Sequence, residues 1–456
     1  MTTASSFIAR TKTKSADLDH RQKINFNIGR YNAAVPKGKL QFENLELARK
    51  KAKILRWQAI EHLDQSLLQF EKTFTARGGK VIWATDAQQA LDAILHICRE
   101  ANCTTLVKSK SMVTEEIHLN DFLEKNNIES IETDLGEYIQ QLDGESPYHI
   151  VTPAMHKSKE DVARLFAEKL GTPPNLTPQE LTLVARQKLR NKYVEAQVGV
   201  TGANFILADS GSVAVTENEG NGRLSCAWPK VHIVVAGIEK VIPSYKDLAH
   251  FWPLLATYGT GQQVTVYNSL ISGPRQSNET DGPEQMYVIL LDNGRTELLQ
   301  HAQSREALYC IRCGSCLNAC PVYKNIGGHS YETTYSGPIG KVITPWLSGM
   351  HDYKHLSYAS SLCGNCTEVC PVKINLHELL LDNRQEAVAQ GESTLAERVA
   401  WKGWKTAMLN KNMMNLAGAG IKNFVVNKIF TAWTSGHAPL QFAEKTFDEL
   451  WKEQEG

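Results

Sequence analysis

The sequence lacks any apolar run long enough to cross a membrane. A transmembrane helix needs about 20 consecutive apolar residues, whereas the longest apolar stretches, Val231–Ile238 and Tyr287–Leu291, have the length of strands. The chain of 456 residues also lacks net charge, because 49 Lys and Arg balance 49 Asp and Glu. This balance disfavours a nucleic-acid binder and a highly charged disordered chain. We therefore predict a globular protein that is not integral to a membrane.

An export signal is also absent. The first forty residues carry eight Lys and Arg without an apolar segment or a small-residue cleavage site. We therefore expect a cytoplasmic protein in which residues 1–44 form a basic arm, either solvated or docked on a partner. Near the C-terminus, Arg398–Gln441 contains basic residues but no Asp or Glu, together with Trp401 and Trp404. This basic helical segment is suited to peripheral contact with an anionic inner membrane face or to partner docking.

Nucleotide-binding fingerprints are missing as well. No Gly-x-Gly-x-x-Gly follows a predicted strand and there is no Walker sequence, so nothing predicts NAD or ATP binding. The cysteine spacing of radical-SAM enzymes is also missing. The sequence leaves the presence of a flavin open.

Strands and helices alternate along residues 45–295. This alternation predicts one α/β domain with a parallel sheet and helices on both faces. The predicted helices are Leu45–Phe74, Ala87–Arg99, Thr114–Lys125, Lys159–Leu170 and Gln179–Ala196, followed by a short helical segment, Glu297–Tyr309. The predicted strands are Lys80–Ala84, Thr104–Val107, Ile128–Glu132, His149–Thr152, Val200–Leu207, Ser212–Thr216, Val231–Ala236, Gln263–Leu270 and Met286–Leu291.

Seven of the ten cysteines lie between residues 310 and 370. The first motif, CIRCGSCLNACP from Cys310 to Pro321, matches the bacterial ferredoxin run. In that run three cysteines hold one cluster and the fourth, before proline, reaches the other cluster. The second motif, CGNCTEVCP from Cys363 to Pro371, is the same run without its first cysteine, and Ser360 stands at the missing position.

Exchange of the last cysteine between the motifs predicts two sets of ligands. Cluster one would use Cys310, Cys313, Cys316 and Cys370, and cluster two would use Cys320, Cys363 and Cys366. We predict two [4Fe–4S] clusters. The second has only three thiolates, so it is either a [3Fe–4S] cluster or has a fourth ligand from Ser360, His351, His355 or water. Zinc is the alternative metal, but structural zinc sites use separate Cys-x2-Cys pairs, which this run does not form. Residues 296–395 form the predicted α-helical two-cluster ferredoxin-type domain, and residues 396–456 a helical C-terminal region.

A loop at residues 216–223 offers candidate substrate residues. Its glycine-rich backbone beside Arg223 is suited to binding an anion such as a carboxylate. Glu217 is similar in type to the nucleophile of CoA-transferase-like folds. The plainer interpretation is a polar turn between strands. The isolated cysteines Cys98, Cys103 and Cys226 are expected to be small buried thiols.

Four segments together resemble the lactate utilization protein B family. They are CIRCGSCLNACPVY, GGHSYETTYSGPIG (Gly327–Gly340), SLCGNCTEVCPVKI (Ser361–Ile374) and GANFILADSGSVAVTENEGNGRL (Gly202–Leu224). The resemblance implies an N-terminal LUD domain, similar in fold to CoA-transferases and ribose-5-phosphate isomerases. It also implies the same cysteine sets for the two clusters.

The resemblance further implies an iron–sulfur electron-transfer subunit of a complex that oxidises L-lactate to pyruvate and allows growth on lactate. The implied partners are a cysteine-rich subunit and a second LUD-domain subunit. Two other functions remain open from the residues. One is a non-redox enzyme that uses the open iron of cluster two as a Lewis acid on a hydroxy acid. The other is an iron-sensing or redox-sensing binding module.

Overall fold

A computed structural model describes residues 2–415, 417–429 and 438–455. The chain divides into two compact units, Met1–Glu386 and Ala387–Gly456. Among the described residues, no helix is both long and apolar enough to span a membrane. The domain boundaries expected at residues 44, 295 and 395 stay predictions.

Ten strands of the described chain form two sheets in the first unit. The strands are β1 (Lys80–Ala84), β2 (Thr105–Lys108), β3 (Glu129–Glu132), β4 (Val198–Thr201), β5 (Phe205–Leu207), β6 (Ser212–Glu217), β7 (Val231–Gly237), β8 (Val241–Ile242), β9 (Tyr267–Ile271) and β10 (Gln285–Leu291). The larger sheet has the order β1-β10-β7-β4-β2-β3. All its pairings are parallel, for example Val198 beside Val231 and Leu106 beside Ser130.

The α-helices of the described chain flank the sheets and then form the C-terminal part of the fold. They are α1 (Thr3–Ala16), α2 (Leu18–Lys39), α3 (Leu45–Glu61), α4 (Leu63–Thr75), α5 (Ala87–Glu100), α6 (Met112–Glu116), α7 (Leu119–Lys125), α8 (Leu135–Asp143), α9 (Lys159–Leu170), α10 (Pro178–Glu195), α11 (Asn221–Ala227), α12 (Leu248–Thr260), α13 (Arg295–Gln300), α14 (Ser315–Ala319), α15 (Pro321–Ile326), α16 (Gly337–Leu347), α17 (Met350–Tyr353), α18 (His355–Tyr358), α19 (Asn365–Glu368), α20 (Leu376–Ala389), α21 (Leu395–Leu409), α22 (Lys411–Asn415), α23 (Ala419–Phe424) and α24 (Phe447–Glu455). Short 3-10 turns cover Ile238–Lys240, Tyr245–Asp247, Ser304–Tyr309 and His329–Tyr331, and a π-helical turn covers Val425–Ile429.

Both faces of the large sheet are covered by helices. On one face, Leu106 of β2 packs with the apolar side of α5 and α7. On the other face, the next residue, Val107, packs with Phe166 of α9 and Leu189 of α10. Neighbouring strand residues point to opposite faces, so a strand covered on both sides must be apolar throughout. The predicted parallel α/β architecture is confirmed.

The smaller sheet has the order β8-β5-β6-β9 and contains antiparallel pairs. The sequence predicted one strand over Val200–Leu207, which is wrong. The chain leaves the large sheet after Thr201 and enters the small sheet at Phe205. Gly202 makes this crossing close to Ser111, whose Oγ would lie 2.7 Å from a Cβ at that position.

Two other strand predictions also need correction. His149–Thr152 is not a strand, because the ring Nδ1 of His149 accepts the backbone N–H groups of Val151 and Thr152. Backbone N–H groups bound to a nearby side chain in this way cannot donate to a neighbouring β-strand. The strand expected at Gln263–Leu270 begins only at Tyr267 and ends at Ile271.

Several helical segments are interrupted where the sequence predicted continuity. The segment Leu45–Phe74 forms two helices separated at His62, and Thr114–Lys125 lies in α6 and α7, separated at His118 with φ 53°. A left-handed residue cannot continue a right-handed helix. Glu297–Tyr309 likewise divides into the end of α13 and a 3-10 turn.

The first forty residues form α1 and α2, which pack on the same chain. Phe7, Ile24 and Ile28 are buried. The ammonium group of Lys23 lies 2.8 Å from the Asp161 carboxylate, and Asn27 donates to the backbone carbonyl of Met155 at 2.9 Å. These residues therefore do not form a solvated arm, because their apolar face has its own chain to cover it.

The C-terminal unit contains α21 to α24. The predicted helical C-terminal region is confirmed, with α21 ending at Leu409 and shorter helices following it. Trp401 and Trp404 on α21 are exposed and contact each other edge to face at 5.7 Å. Residues 430–437 lie outside the described part of the chain.

Candidate iron–sulfur centre and its adjoining pocket

The two cysteine motifs have the same backbone conformation. Arg312 and Leu362, each just before a cysteine, have φ values of 60° and 53°. Gly314 and Gly364, each just after that cysteine, have φ values of 76° and 78°. Positive φ is common only for glycine. Its repetition at matched positions therefore shows that both motifs fold as the same ligand loop.

The match extends to the position where the second motif has no cysteine. The backbone N–H of Arg312 donates to Cys310 Sγ at 3.4 Å. The backbone N–H of Leu362 donates to Ser360 Oγ at 3.1 Å. Ser360 therefore occupies in the second loop the place that Cys310 has in the first.

Four thiols from both motifs line one small cavity. They are Cys310, Cys313, Cys316 and Cys370. Burial and then the nearby thiols of Cys370 and Cys310 raise the pKa of Cys313. Burial likewise raises the pKa of Cys370 to about 12, with a smaller contribution from Cys310. Cys370 thus lies with the first motif although it belongs to the second in sequence.

The other three motif cysteines lie near one another. Burial and then the nearby thiol of Cys320 raise the pKa of Cys366 to about 11, and Cys363 adds to this effect. Cys320 and Cys366 are buried, whereas Cys363 is exposed. A backbone hydrogen bond from Asn365 lowers the pKa of Cys363. This second group of thiols therefore reaches the protein surface at one residue.

The donors fit iron–sulfur clusters better than a zinc ion. A tetrahedral zinc ion with Zn–S of about 2.3 Å needs sulfurs about 3.8 Å apart. Within the described residues, no three cysteine sulfurs lie within 4.8 Å of one another. Backbone N–H donors to sulfur are typical of iron–sulfur sites. Besides Arg312, Ile374 provides such a donor to Cys370 Sγ at 3.3 Å.

Each group of thiols has a cation beside it, the partly buried Arg312 for the first and the buried Lys341 for the second. Arg312 lies next to Cys310, and the Nζ atom of Lys341 lies 3.9 Å from Cys320 Sγ. Lys341 also donates to the backbone carbonyl of Ala359. The sequence analysis did not single out these residues, although Arg312 stands inside the first cysteine run and Lys341 directly follows the GPIG segment.

The two histidines expected as alternative ligands lie in other surroundings. The ring of His355 contacts Phe7 at 5.3 Å, and its Nδ1 faces the backbone carbonyl of Asp352 at 3.0 Å. His351 is exposed on α17. Neither of these two contacts of His355 is with a motif cysteine. Ser360 is therefore the candidate with the matching geometry.

A larger cavity of about 520 Å³ adjoins the first group of thiols. It lies where β2, β3, β4 and β6 end, the edge at which α/β proteins commonly bind ligands. Cys313 forms part of its wall, so the cavity reaches from the LUD-like part of the fold to the first ligand loop. Its charged lining residues are Lys110, Asp134, Glu217, Glu219, Lys240 and Arg312.

The two candidate substrate residues have structural contacts. Glu217 lines the cavity, but its carboxylate accepts the backbone N–H groups of Gly222 at 2.7 Å and Arg223 at 2.8 Å. It thereby binds the first turn of α11, where a carboxylate is favourable. The Arg223 guanidinium lies over the Tyr267 ring at 5.4 Å and does not line the cavity. The plainer interpretation of a structural loop fits these contacts.

A buried ionic network ties the large sheet to the cysteine motifs. Arg295 donates to Glu239 at 2.6 Å and to both carboxylate oxygens of Glu116 at 2.8 and 2.9 Å. Tyr335 donates to Glu116 at 2.7 Å, and Arg312 lies over the Tyr335 ring at 4.8 Å. Burial alone would raise the pKa of Glu239. The neighbouring Arg295 outweighs that effect and lowers the pKa to about 2. The network fixes Arg312 relative to the sheet.

The sequence analysis also missed a group of histidines between the two parts of the fold. Glu145, His156 and His329 bring their ligand atoms within 4.8 Å of one another. Glu145 is already paired with Lys157 at 2.9 Å and with His156 at 3.0 Å. The Glu145 carboxylate therefore already has two partners within its own part of the chain. His329 belongs to the GGHSYETTYSGPIG segment, which was the available signal.

The isolated cysteines Cys98, Cys103 and Cys226 are buried, as expected. A side-chain hydrogen bond that Cys98 donates to Cys103, followed by burial, raises the pKa of Cys98 far above the usual range, and the same bond lowers the pKa of Cys103. The Cys98 thiol therefore stays protonated inside the α/β fold, and burial likewise raises the pKa of Cys226 to about 12.

Comparisons with known proteins agree with this architecture. Two family models match the chain, the LUD domain at residues 67–291 and the 4Fe-4S dicluster domain at residues 306–374. The second match indicates iron–sulfur clusters.

The full-length relatives give the family. Lactate utilization protein B of Bacillus velezensis is 47% identical over 363 residues, which are 79% of this chain and 76% of the relative. The protein of the same name in Bacillus subtilis is 43% identical over 408 residues, 89% of this chain and 81% of the relative. A solved DUF162 family protein from Deinococcus radiodurans is 13% identical, covers 50% of this chain and 98% of that protein, and has a TM-score of 0.27, too low to add to the assignment. The resemblance read from the four sequence segments is confirmed, and the chain belongs to the lactate utilization protein B family.

Proposed function

We propose that this protein is the iron–sulfur electron-transfer subunit of a complex that oxidises L-lactate to pyruvate. The observation that carries the proposal is the pair of matched ligand loops, whose cysteines gather in two neighbouring groups. The names of the relatives support a role in lactate utilization. When bound, two clusters at these loops would supply one-electron steps.

The grouping of the thiols supports the proposed ligand sets. Cys310, Cys313, Cys316 and Cys370 share a cavity and would hold cluster one. Cys320, Cys363 and Cys366 would hold cluster two, since the Cys320 and Cys363 thiols add to the effect of burial in raising the pKa of Cys366. The two sets lie close to each other, because Cys366 of the second set adds, after burial and the Cys310 and Cys313 thiols, to the raised pKa of Cys316. Such closeness suits electron relay better than storage of a structural metal.

We propose Ser360 as the fourth ligand of cluster two. Its Oγ accepts the same loop hydrogen bond that Cys310 Sγ accepts in the first motif. A serine oxygen at this position would complete a [4Fe–4S] site that three thiolates leave open. A [3Fe–4S] cluster is the expected result where that oxygen does not bind.

The pocket geometry favours electron transfer over Lewis-acid catalysis. Hydratase-type chemistry requires substrate access to the iron that lacks a thiolate. The 520 Å³ cavity instead borders Cys313 of the set with four thiolates, and none of Cys320, Cys363 and Cys366 lines it. A purely sensory module remains the other alternative, and a catalytic assay with partners separates it from electron transfer.

The exposed positions support contact with partner subunits. Cys363 is exposed, so the second thiol group lies within reach of a docked protein. We propose that the partners are the cysteine-rich and second LUD-domain subunits of the lactate utilization system, acting in the cytoplasm. The exposed Trp401 and Trp404 give the C-terminal unit its own contact surface. Peripheral binding there to the inner membrane face is tested by flotation with anionic liposomes.

The test is anaerobic purification followed by iron and sulfide analysis and EPR, with Cys366→Ala beside the parent. About eight irons per chain and two reduced signals, one of them lost in the variant, would support the proposal. L-lactate should then reduce both clusters only when the partner subunits are added. Bound zinc without iron, or clusters that lactate and the partners leave oxidised, would refute it.

A further inference from the structure

The cavity beside the first ligand loop has an unpaired cation in its wall. Lys240 is 6% exposed and lines the cavity. Within the described part of the chain, its ammonium group has no hydrogen bond and no ion pair. A buried ammonium without a partner is costly, because burial removes its hydration. Its presence in a cavity wall therefore points to an anionic ligand.

The nearest carboxylate does not satisfy Lys240. The Glu239 carboxylate accepts hydrogen bonds from two arginines, at 2.6 Å from Arg295 and 3.4 Å from Arg312. Burial and then the neighbouring Arg312 lower the pKa of Lys240 to about 7. Burial is the larger cause of this lowering, and the positive charge of Arg312 adds to it.

A second donor in the same wall is also unsatisfied. The Nη1 atom of Arg312 is buried and has no hydrogen-bond partner among the described residues. The rest of its guanidinium is held by Glu239 and by the ring of Tyr335. Lys240 and Arg312 thus offer two fixed cationic donors at one part of the cavity. Guanidinium and ammonium groups in such positions bind carboxylates with charge-assisted hydrogen bonds.

We propose that this cavity binds a small 2-hydroxy or 2-oxo carboxylate, whose carboxylate group is held by Lys240 and Arg312. The identity of the acid rests on the proposed function, whereas the site rests on the unpaired ammonium group of Lys240 and the unsatisfied Nη1 donor of Arg312. Cys313 lies in the same wall, so the bound acid would be adjacent to the first ligand set. The cavity is larger than a three-carbon acid, so charge and not fit provides the selectivity.

The test is calorimetric titration of the anaerobic, cluster-loaded full chain with L-lactate and pyruvate. Both should bind saturably, and 2-oxobutyrate should bind comparably. The uncharged analogue 1,2-propanediol should not bind. Lys240→Met should weaken binding by roughly tenfold or more, the scale of one charge-assisted hydrogen bond. Lys240→Arg should keep part of the affinity, and Lys246→Met, at an exposed lysine outside the cavity, should bind as the parent does.

A second measurement separates this role from charge balance at the cluster. If Lys240 served only the cluster, Lys240→Met would shift the potential of cluster one and leave carboxylate binding unchanged, which would overturn the site. Binding of neither acid to a chain with intact clusters would also overturn it. Reduction by lactate with the partners present, but without binding to this chain, would refute the site and leave the proposed function standing. Binding without any such reduction would support the site and refute the proposed function.

Discussion

The ammonium group of Lys341 lies 3.9 Å from the sulfur of Cys320, and both side chains are buried. Lys341 stands on α16, while Cys320 ends the first motif and belongs to the thiol group of the second. Charges and hydrogen bonds near cluster sulfurs are among the factors that set reduction potential. A buried cation stabilises the reduced, more negative cluster.

Lys341→Met should therefore lower the reduction potential of cluster two. Lys341→Arg, which keeps the charge, should change it less, and the exposed-site variant Lys246→Met should leave it unchanged. An EPR-monitored redox titration of each protein provides the measurement. Equal potentials in the parent and Lys341→Met would contradict the proposed electrostatic role.

The exchange of terminal cysteines predicts opposite losses in two variants. Cys370→Ala should remove cluster one although the residue belongs to the second motif, and Cys320→Ala should remove cluster two. Iron content and EPR of the reduced proteins distinguish the clusters. Cys226→Ser is the matched control, since that buried thiol lies outside both groups. Ligation within each motif would give the reverse pattern.

Changes at Ser360 should alter the composition of cluster two. Ser360→Cys supplies a fourth thiolate and should abolish any [3Fe–4S] signal after mild oxidation. Ser360→Ala should increase that signal, because the open iron is then lost more readily. EPR spin quantification measures both, with Ser348→Ala, at an exposed serine after α16, as the control. Identical spectra for the parent and Ser360→Ala would show that Ser360 is not a ligand.

Arg295→Met should destabilise the first unit strongly. The substitution leaves the carboxylates of Glu116 and Glu239 buried without their main partner. Removing one member of a buried ion pair typically costs about 3–5 kcal/mol. Denaturant unfolding followed by circular dichroism measures the loss. Arg275→Met, at a half-exposed ion pair, should lower the free energy of unfolding far less. An equal loss of stability in the two variants would contradict the stabilising role of the buried network.

His232 should make stability depend on pH. Burial lowers its pKa from 6.5 to about 3, so the folded protein keeps the ring neutral. The unfolded chain binds the extra proton below pH 6.5, so stability is lost as pH falls from 6.5 towards 3.

Because of His232, the free energy of unfolding should fall by about 2 kcal/mol from pH 7 to pH 5. His232→Gln should remove that part of the pH dependence, measured as the difference in unfolding free energy at the two pH values. His96→Gln, at an exposed histidine, should keep the dependence of the parent. An unchanged pH dependence in His232→Gln would disprove this account.

Local patterns predicted much of the fold. Lys80–Ala84 is a strand and Lys159–Leu170 is a helix with the predicted bounds, because their propensities and end signals lie within the segments themselves. The break at Gly202 within Val200–Leu207 was not predictable in this way. An apolar run gives no information on which of two sheets each part will join.

The spacing of the cysteines predicts the chemistry of the two ligand loops. Ligands three residues apart lie on one turn of backbone, so their spacing alone specifies a loop suited to an iron–sulfur cluster. Glycine after the central cysteine supplied the positive φ that this loop needs. The family resemblance rested on the same local segments.

The charged residues around these loops come together only through tertiary packing. Lys240 and Arg312 are distant in sequence, and their meeting in one cavity wall depends on how the large sheet packs against the cysteine motifs. The same packing left Glu217 bound to its own loop and Arg223 outside the cavity. Charge and burial at a site are sums over neighbours from many segments, so no single segment of sequence contains them.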